Sequence, residues 1–289
     1  MTKNSILPIS IYEKSFPDEL GWAERLNMTA QAGYDFLEIS IDESEARLAR
    51  LHWTTTERNI VKRAIIDTGI PIITMGVSAH RKFSLGSASE LLRQEGLEIL
   101  HRSIDLAADI GIRIIQVMGY DVFYEPSNKD TCDRFLEGLM KGASWANGCG
   151  VMLAMENMDV PSFDSVEKVM GVVKKIKSPW FSAYPDIGNM TAAGYQPVEQ
   201  LPFAQGCMVG VHVKDTRPGE LRGVPYGAGT VNFEQAFKTL FEMKFSGLIG
   251  LEMWAHLDRT GDPFTSTIQA REFVEQQIQK AWGFPGSQP

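Results

Sequence analysis

Eight short apolar runs recur along the chain at intervals of roughly 30–40 residues. They are LPISIYE (7–13), DFLEISID (35–42), PIITMGVSA (71–79), RIIQVMGYD (113–121), VMLAMEN (151–157), FSAYPDIGN (181–189), VGVHVKD (209–215) and GLIGLEMW (247–254). The runs are nearly continuous in apolar residues rather than alternating, which marks strands covered on both faces, as in parallel sheets. Helical patterns fill the gaps at 17–33, 54–69, 87–111, 129–147, 164–177, 232–247 and 262–281, with a weak one at 196–205. The first places Leu20, Ala23, Leu26 and Ala30 on one face and stops at Gly33. Thr54 with Glu57, and Ser87 with Glu90, read as capping boxes; Gly111 reads as a helix stop and Asn232 as an N-cap. Eight strands alternating with helices predict an α/β chain folded as one (β/α)8 barrel domain over 1–289. A doubly wound sheet is the alternative. The turn after the first strand, YEKSFPDEL, lacks the G-x-G-x-x-G that such sheets often carry there.

Composition narrows the function. The formal net charge of −8 repels nucleic-acid phosphates, so DNA and RNA are not expected partners. A small anionic substrate stays open, because a few local Arg and Lys residues can outweigh the global field. The three cysteines, Cys132, Cys149 and Cys207, form no C-x-x-C motif and no disulfide framework. With no signal-like N-terminal stretch and no 18-residue apolar run, the expectation is a cytoplasmic protein with no membrane association.

In a (β/α)8 barrel the functional site lies at the C-terminal ends of the strands. The fifth run ends in Glu156 and Asn157, the sixth in Asp186, the seventh carries His212 and the eighth Glu252. Four consecutive strands thus each deliver one metal-capable side chain near the same end. Three carboxylates and an imidazole suit Mn²⁺, Zn²⁺, Co²⁺ or Mg²⁺, with the histidine tilting the set away from Mg²⁺ and Ca²⁺. The separations of 30, 26 and 40 residues are too long for a local motif, so the pattern depends on the barrel. Each residue also has a plainer reading. A strand histidine is often a hydrogen-bonded core residue, strand-end glutamates are often solvated, and Asp186 before Ile-Gly-Asn can simply close an Asx turn. Against that, Glu156 and Glu252 interrupt apolar runs, where an unpaired charge is costly.

Basic residues gather at the same end: Lys14 after the first strand, His80, Arg81 and Lys82 after the third, and Lys214, Arg217 and Arg222 after the seventh, in a Gly- and Pro-rich loop. Loops near strands seven and eight often bind phosphate; solvated loop charges are the alternative. Glu38 and Gln116 either point into the barrel or line the pocket.

At these residues the sequence resembles the xylose-isomerase-like barrel superfamily, and within it the L-ribulose-5-phosphate 3-epimerase (L-xylulose-5-phosphate 3-epimerase) family of L-ascorbate utilisation. The stretches that carry the resemblance are IYEKSFP (11–17), LEISIDESEARLARLHW (37–53), SAHRKFSLGS (78–87), IQVMGYDVFYE (115–125), LAMENMD (153–159), PWFSAYPDIGN (179–189), VHVKDTRPG (211–219), VPYGAGTVNFE (224–234) and LIGLEMW (248–254). They cover nearly the whole chain. The resemblance implies one divalent metal, Zn²⁺ or Mn²⁺ first and Co²⁺ or Mg²⁺ after them, held by Glu156, Asp186, His212 and Glu252. It also implies Glu156 and Glu252 as acid and base flanking the reacting carbon of a pentulose phosphate, and a homodimer. His80, Arg81 and Arg217 are the candidate phosphate contacts. Asn157 varies among relatives and is left without a role.

The chemistry is consistent with those residue types. In a 2-ketose the C3 hydrogen is acidified by the neighbouring C2 carbonyl once that carbonyl is polarised. One carboxylate removes the hydrogen, an enediolate forms, and a carboxyl on the opposite face returns a proton and inverts C3. Residue types do not separate this from an aldose–ketose isomerase or a 3-epimerase of non-phosphorylated ketoses on the same groups. A non-catalytic sugar-binding barrel is the rival of another class. An abasic-site endonuclease would need a multi-zinc cluster, which five histidines and a net charge of −8 do not favour.

Overall fold

The computed structural model describes residues 6–283; the domain ends expected at 1 and 289 lie outside them. Eight parallel strands form the central sheet: β1 (Ile9–Tyr12), β2 (Phe36–Ile41), β3 (Ile72–Val77), β4 (Ile114–Met118), β5 (Met152–Glu156), β6 (Phe181–Ala183), β7 (Gly210–Val213) and β10 (Leu248–Leu251). Between the last two, β8 (Asp215–Arg217) and β9 (Glu220–Val224) form a separate antiparallel hairpin. Neighbours run in the order β6-β5-β4-β3-β2-β1-β10-β7. Bridges from Ala183 to Met208 and from Asp186 to His212 join β6 to β7 and close the ring. The (β/α)8 expectation holds, and the doubly wound alternative falls on that closure.

Side chains alternate across each strand. Ile9, Ile11, Leu37, Ile39, Ile41, Ile115, Val117, Leu153, Met155, Val211, Val213, Ile249 and Leu251 join the large core that includes the helices. A fully buried Ile, Leu or Val side chain of this kind contributes about 1.5–3 kcal/mol. The alternate residues face inward, and near the floor they are apolar: Ile114, Ala154 and Tyr184 cluster with Met152, Val209 and Leu248. Higher up they are polar, and Ser10, Glu38, Ser40, Thr74, Gln116, Glu156 and His212 are all buried.

Helix boundaries follow local chemistry. Helix Thr55–Thr68 has the Thr54/Glu57 capping box and ends at Gly69 in the left-handed region (φ 70°), which glycine adopts without a Cβ clash. Helix Glu90–Ile110 stops at Gly111 as expected, but its cap is Ser89, whose hydroxyl accepts from the Leu92 N–H. Ser87 is spent instead on Glu125, to which its hydroxyl donates. Asn232 caps helix Phe233–Glu242, accepting from the Gln235 N–H at 3.0 Å. Helix Trp22–Gln31 is shorter than 17–33 and rotated from the expected face. Ala23 and Ala30 are exposed, while Arg25, Leu26 and Thr29 are buried. The cause is Arg25, whose Nη1 donates to the Glu13 carbonyl at 2.9 Å and Nη2 to the Pro17 carbonyl at 3.2 Å. The Glu13 side chain is itself buried between Arg25, Arg47 and Arg50, with Arg50 Nη1 at 2.5 Å.

The run 181–189 is a strand only to Ala183. From Ile187 it is a short helix to Ala192 with Asp186 as N-cap. The weak segment 196–205 is two short helical turns, Pro197–Gln200 and Leu201–Ala204. The loop expected after the seventh strand is the β8–β9 hairpin and the segment that follows it. Asp215 pins that segment: its Oδ2 accepts from the Gly227 and Gly229 N–H groups at 2.9 and 2.8 Å, and its Oδ1 from Val231 at 3.2 Å. No helix among the described residues is long and apolar enough to cross a membrane.

Candidate metal and acid–base site

Register brings the strand-end residues together. Gly250 of β10 lies opposite His212 of β7, and His212 bridges to Asp186. A Cβ on Gly250 would stand 2.7 Å from the His212 ring, so glycine makes the slot that the imidazole occupies. Glu156, Asp186 and His212 are buried, and one ligand atom from each lies within 4.8 Å of the others. Asp186 is held from two sides. Its backbone N–H donates to Asn157 Oδ1 at 2.8 Å, and its Oδ1 accepts from the Asn189 N–H at 2.8 Å. The Asx-type turn weighed as the plainer reading therefore exists, and it coexists with an inward carboxylate. Asn157 gains a role: it fastens the end of β5 to the turn after β6.

Glu252, 13% exposed, joins the group through a cation rather than directly. The Lys214 ammonium sits 2.5 Å from Asp186 Oδ2 and 2.6 Å from Glu252 Oε2. The carboxylates of Asp186 and Glu252 thus already converge on a positive charge. Glu38 is the residue whose part sequence reasoning left open: its Oε1 stands 2.8 Å from His212 Nε2, while Glu156 Oε1 stands 3.2 Å from His212 Nδ1. The signal was available, since Glu38 is the one charged residue in a strand buried at every position. Gln116 Nε2 also approaches the ring, at 3.3 and 3.1 Å from its two nitrogens.

The electrostatics split the two glutamates. Burial pushes the Glu156 carboxyl up to about 8, against the pull of His212. Burial also works to raise Glu252, but the Lys214 ammonium and His212 overcome it and hold this carboxyl at about 2. Burial would lower His212, yet Glu38 and Glu156 on its two sides drive it well above the usual histidine range. The residues fit a divalent cation. Two carboxylates and an imidazole cluster within bonding span of one point, and an ammonium stands in for positive charge beside them.

Beside Glu252 and Lys214 opens a cavity of about 140 Å³, walled by Arg222, Tyr226, Trp254 and Leu257. The Arg222 guanidinium lies over the Trp254 ring, 5.2 Å from its centroid. The basic residues singled out in the sequence do not converge there. His80 is buried in the turn Ser78–Arg81, its Nε2 3.1 Å from the Gly96 carbonyl. Burial, against that bond, lowers it to about 4, so it is a neutral packing group and not an exposed phosphate contact. Arg81 lies over Phe123 at 4.9 Å and donates to the Tyr120 hydroxyl at 3.1 Å. Arg217, on the hairpin, donates to the Ala228 carbonyl at 2.9 and 2.7 Å.

Comparisons with known proteins agree with this geometry. Residues 26–277 match the family model described as xylose isomerase-like TIM barrel. The chain is 42% identical over 275 residues to L-ribulose-5-phosphate 3-epimerase UlaE of Shigella sonnei, covering 95% of this chain and 96% of that one. The same figures hold for the protein of that name from Escherichia coli K12. Among solved structures, a D-psicose 3-epimerase determined in the presence of D-fructose superposes with a TM-score of 0.80 at 17% identity, over 94% of this chain and 99% of that one. An L-ribulose 3-epimerase superposes with a TM-score of 0.78 at 18% identity, over 98% and 100%. These two structural likenesses establish the fold.

Proposed function

The chain belongs to the xylose isomerase-like TIM barrels and, within them, to the L-ribulose-5-phosphate 3-epimerase family, and we propose that it interconverts L-ribulose 5-phosphate and L-xylulose 5-phosphate by inverting C3. The observation that carries this reading is a pair of glutamates at one barrel end, Glu156 grouped with Asp186 and His212 and Glu252 tied to Asp186 through Lys214, with burial raising the first carboxyl and Lys214 lowering the second. Pairs pushed apart in this way are matched to one acid and one base. Their strands, β5 and β10, stand three places apart around the ring, so the two groups approach a bound sugar from different sides.

Glu156 and Glu252 are the acid–base pair: one takes the C3 proton and the other returns a proton to the opposite face. The run ends with the two protonation states exchanged, which is the form that catalyses the reverse inversion. Lys214 keeps Glu252 ionised and in place. A divalent metal, held by Glu156, Asp186 and His212 with Glu252, supplies Lewis-acid polarisation of the C2 carbonyl when bound. Zn²⁺ or Mn²⁺ suits this donor set. Of the phosphate candidates, Arg81 is retained, since its Nε is buried without a hydrogen-bond partner and its nearest carboxylate, Glu43, is 3.6 Å away. The family resemblance adds a homodimeric cytoplasmic enzyme with a single catalytic barrel.

The test is proton NMR of L-xylulose 5-phosphate in D₂O with metal-loaded enzyme. Deuterium at C3 with L-ribulose 5-phosphate appearing is expected. Exchange at C1 with an aldose product would make the protein an isomerase, and no exchange with any metal would return the sugar-binding alternative.

A further inference from the structure

We propose that Glu38 is a positioning residue that decides which nitrogen of His212 meets a metal, holding the proton on Nε2 so that Nδ1 is the nitrogen left to give up its own to the cation; this rests on the metal reading above. A carboxylate only accepts, so the 2.8 Å contact between Glu38 Oε1 and His212 Nε2 places a hydrogen on that nitrogen. The other nitrogen, Nδ1, is the one turned toward Glu156, inside the Glu156–Asp186–His212 group. Glu38 cannot turn away, because the hydroxyl of Thr74 donates to its Oε2 at 2.7 Å. Thr74 is the in-register neighbour of Glu38 on β3, so the sheet itself aims the carboxylate. Both Glu38 and His212 are 1% exposed, and water does not substitute for either partner.

Tyr184 packs edge-on against the ring at 5.1 Å between centroids, and Gln116 also approaches it. Its Nε2 is a donor, and at 3.3 and 3.1 Å it favours neither nitrogen. The choice between them therefore falls to Glu38. A carboxylate behind a metal-binding histidine fixes ring orientation and raises ligand basicity, and losing it typically costs about 10–100-fold in metal affinity.

The experiment uses the full chain with zinc alone as ligand. Affinity is measured by competition with a chromophoric chelator, and ¹⁵N-histidine NMR of the zinc form locates the His212 ring proton. For the wild type, a downfield proton bonded to Nε2 is expected. Glu38→Leu should weaken zinc binding about 10–100-fold and lose that downfield signal. Glu38→Gln keeps an acceptor, so it should keep an Nε2 proton, shifted upfield, with a smaller loss of affinity. Thr74→Val, which frees the carboxylate without removing it, should fall between wild type and Glu38→Leu, and these two milder variants decide the matter if Glu38→Leu does not fold. Wild-type affinity with an unchanged His212 signal in all three would overturn the assignment. So would a tautomer change in Gln116→Leu with none in the Glu38 variants. A wild type that takes up neither zinc nor manganese would instead overturn the metal reading, and this inference with it.

Discussion

Two clusters of buried charge sit at the same end of this barrel, and they are built on opposite ratios. Around Glu13 one carboxylate meets three arginines, Arg25, Arg47 and Arg50, and its Oε1 also accepts from the Ser40 N–H at 2.5 Å. Burial would raise that carboxyl, and the arginines hold it below the ordinary range. Around His212 four carboxyls, Glu38, Glu156, Asp186 and Glu252, face one ammonium and one imidazole. The first cluster is saturated with positive charge and ties the barrel mouth to helix Trp22–Gln31. The second is short of positive charge, and there burial pushes the Glu156 carboxyl up despite His212 beside it. Charge saturation suits a structural joint, and the charge deficit fits the proposed cation site and acid–base pair.

Substitution should separate the two most sharply in turnover. Glu156→Gln and Glu252→Gln should each lower C3 epimerisation by about 10²–10⁴-fold, the usual worth of a general acid or base, while the fold survives and at most the metal-linked part of its stability is lost. Near-normal turnover in either would dissolve the acid–base pair. Glu13→Ala should do the reverse. It leaves buried arginines unpaired, at a cost of about 3–5 kcal/mol in denaturant unfolding, while the turnover of the folded fraction stays near wild type.

Metal removal comes next. Chelation should abolish turnover and lower the melting temperature of the wild type. At a metal concentration of about 100 times Kd the stabilisation lost is about 2.7 kcal/mol, and Asp186→Asn should lose most of the difference between the two states. The smallest effect concerns His80. Its folded-state value near 4 lies below the ordinary histidine value of about 6.5. A depressed value means that stability is present above about pH 6.5 and is lost as pH falls toward 4. The melting temperature of the wild type should therefore drop across that window, and His80→Asn should flatten the dependence on this group.

How much of this was legible in the sequence follows from what is local and what is not. Strand order and the strand-end positions of Glu156, Asp186, His212 and Glu252 depend on apolar runs and right-handed connections, which the chain writes in one dimension. Helix stops at Gly69 and Gly111 are equally local. What a side chain meets across the ring is not. Lys214 reads as one of the basic residues after the seventh strand, and only barrel closure sets it between Asp186 and Glu252. Glu13, just past the first strand, and Glu38, inside the second, are both acids within apolar runs. Nothing in the sequence tells that one faces an imidazole and the other three arginines. His80 misled for the same reason: its neighbours Arg81 and Lys82 suggest a basic loop, but the turn Ser78–Arg81 rolls the imidazole under helix Glu90–Ile110.

The apolar floor of the barrel has a consequence for timing. Ile114, Ala154 and Tyr184 fill the interior beneath His212, so traffic to the two glutamates passes through the mouth. On the proposed mechanism, a sugar seated there would stand between both carboxyls and bulk solvent. The hydrogen that reaches C3 would then be one loaded before the sugar arrived, and each product molecule would keep an isotopic memory of the water its enzyme last met while empty.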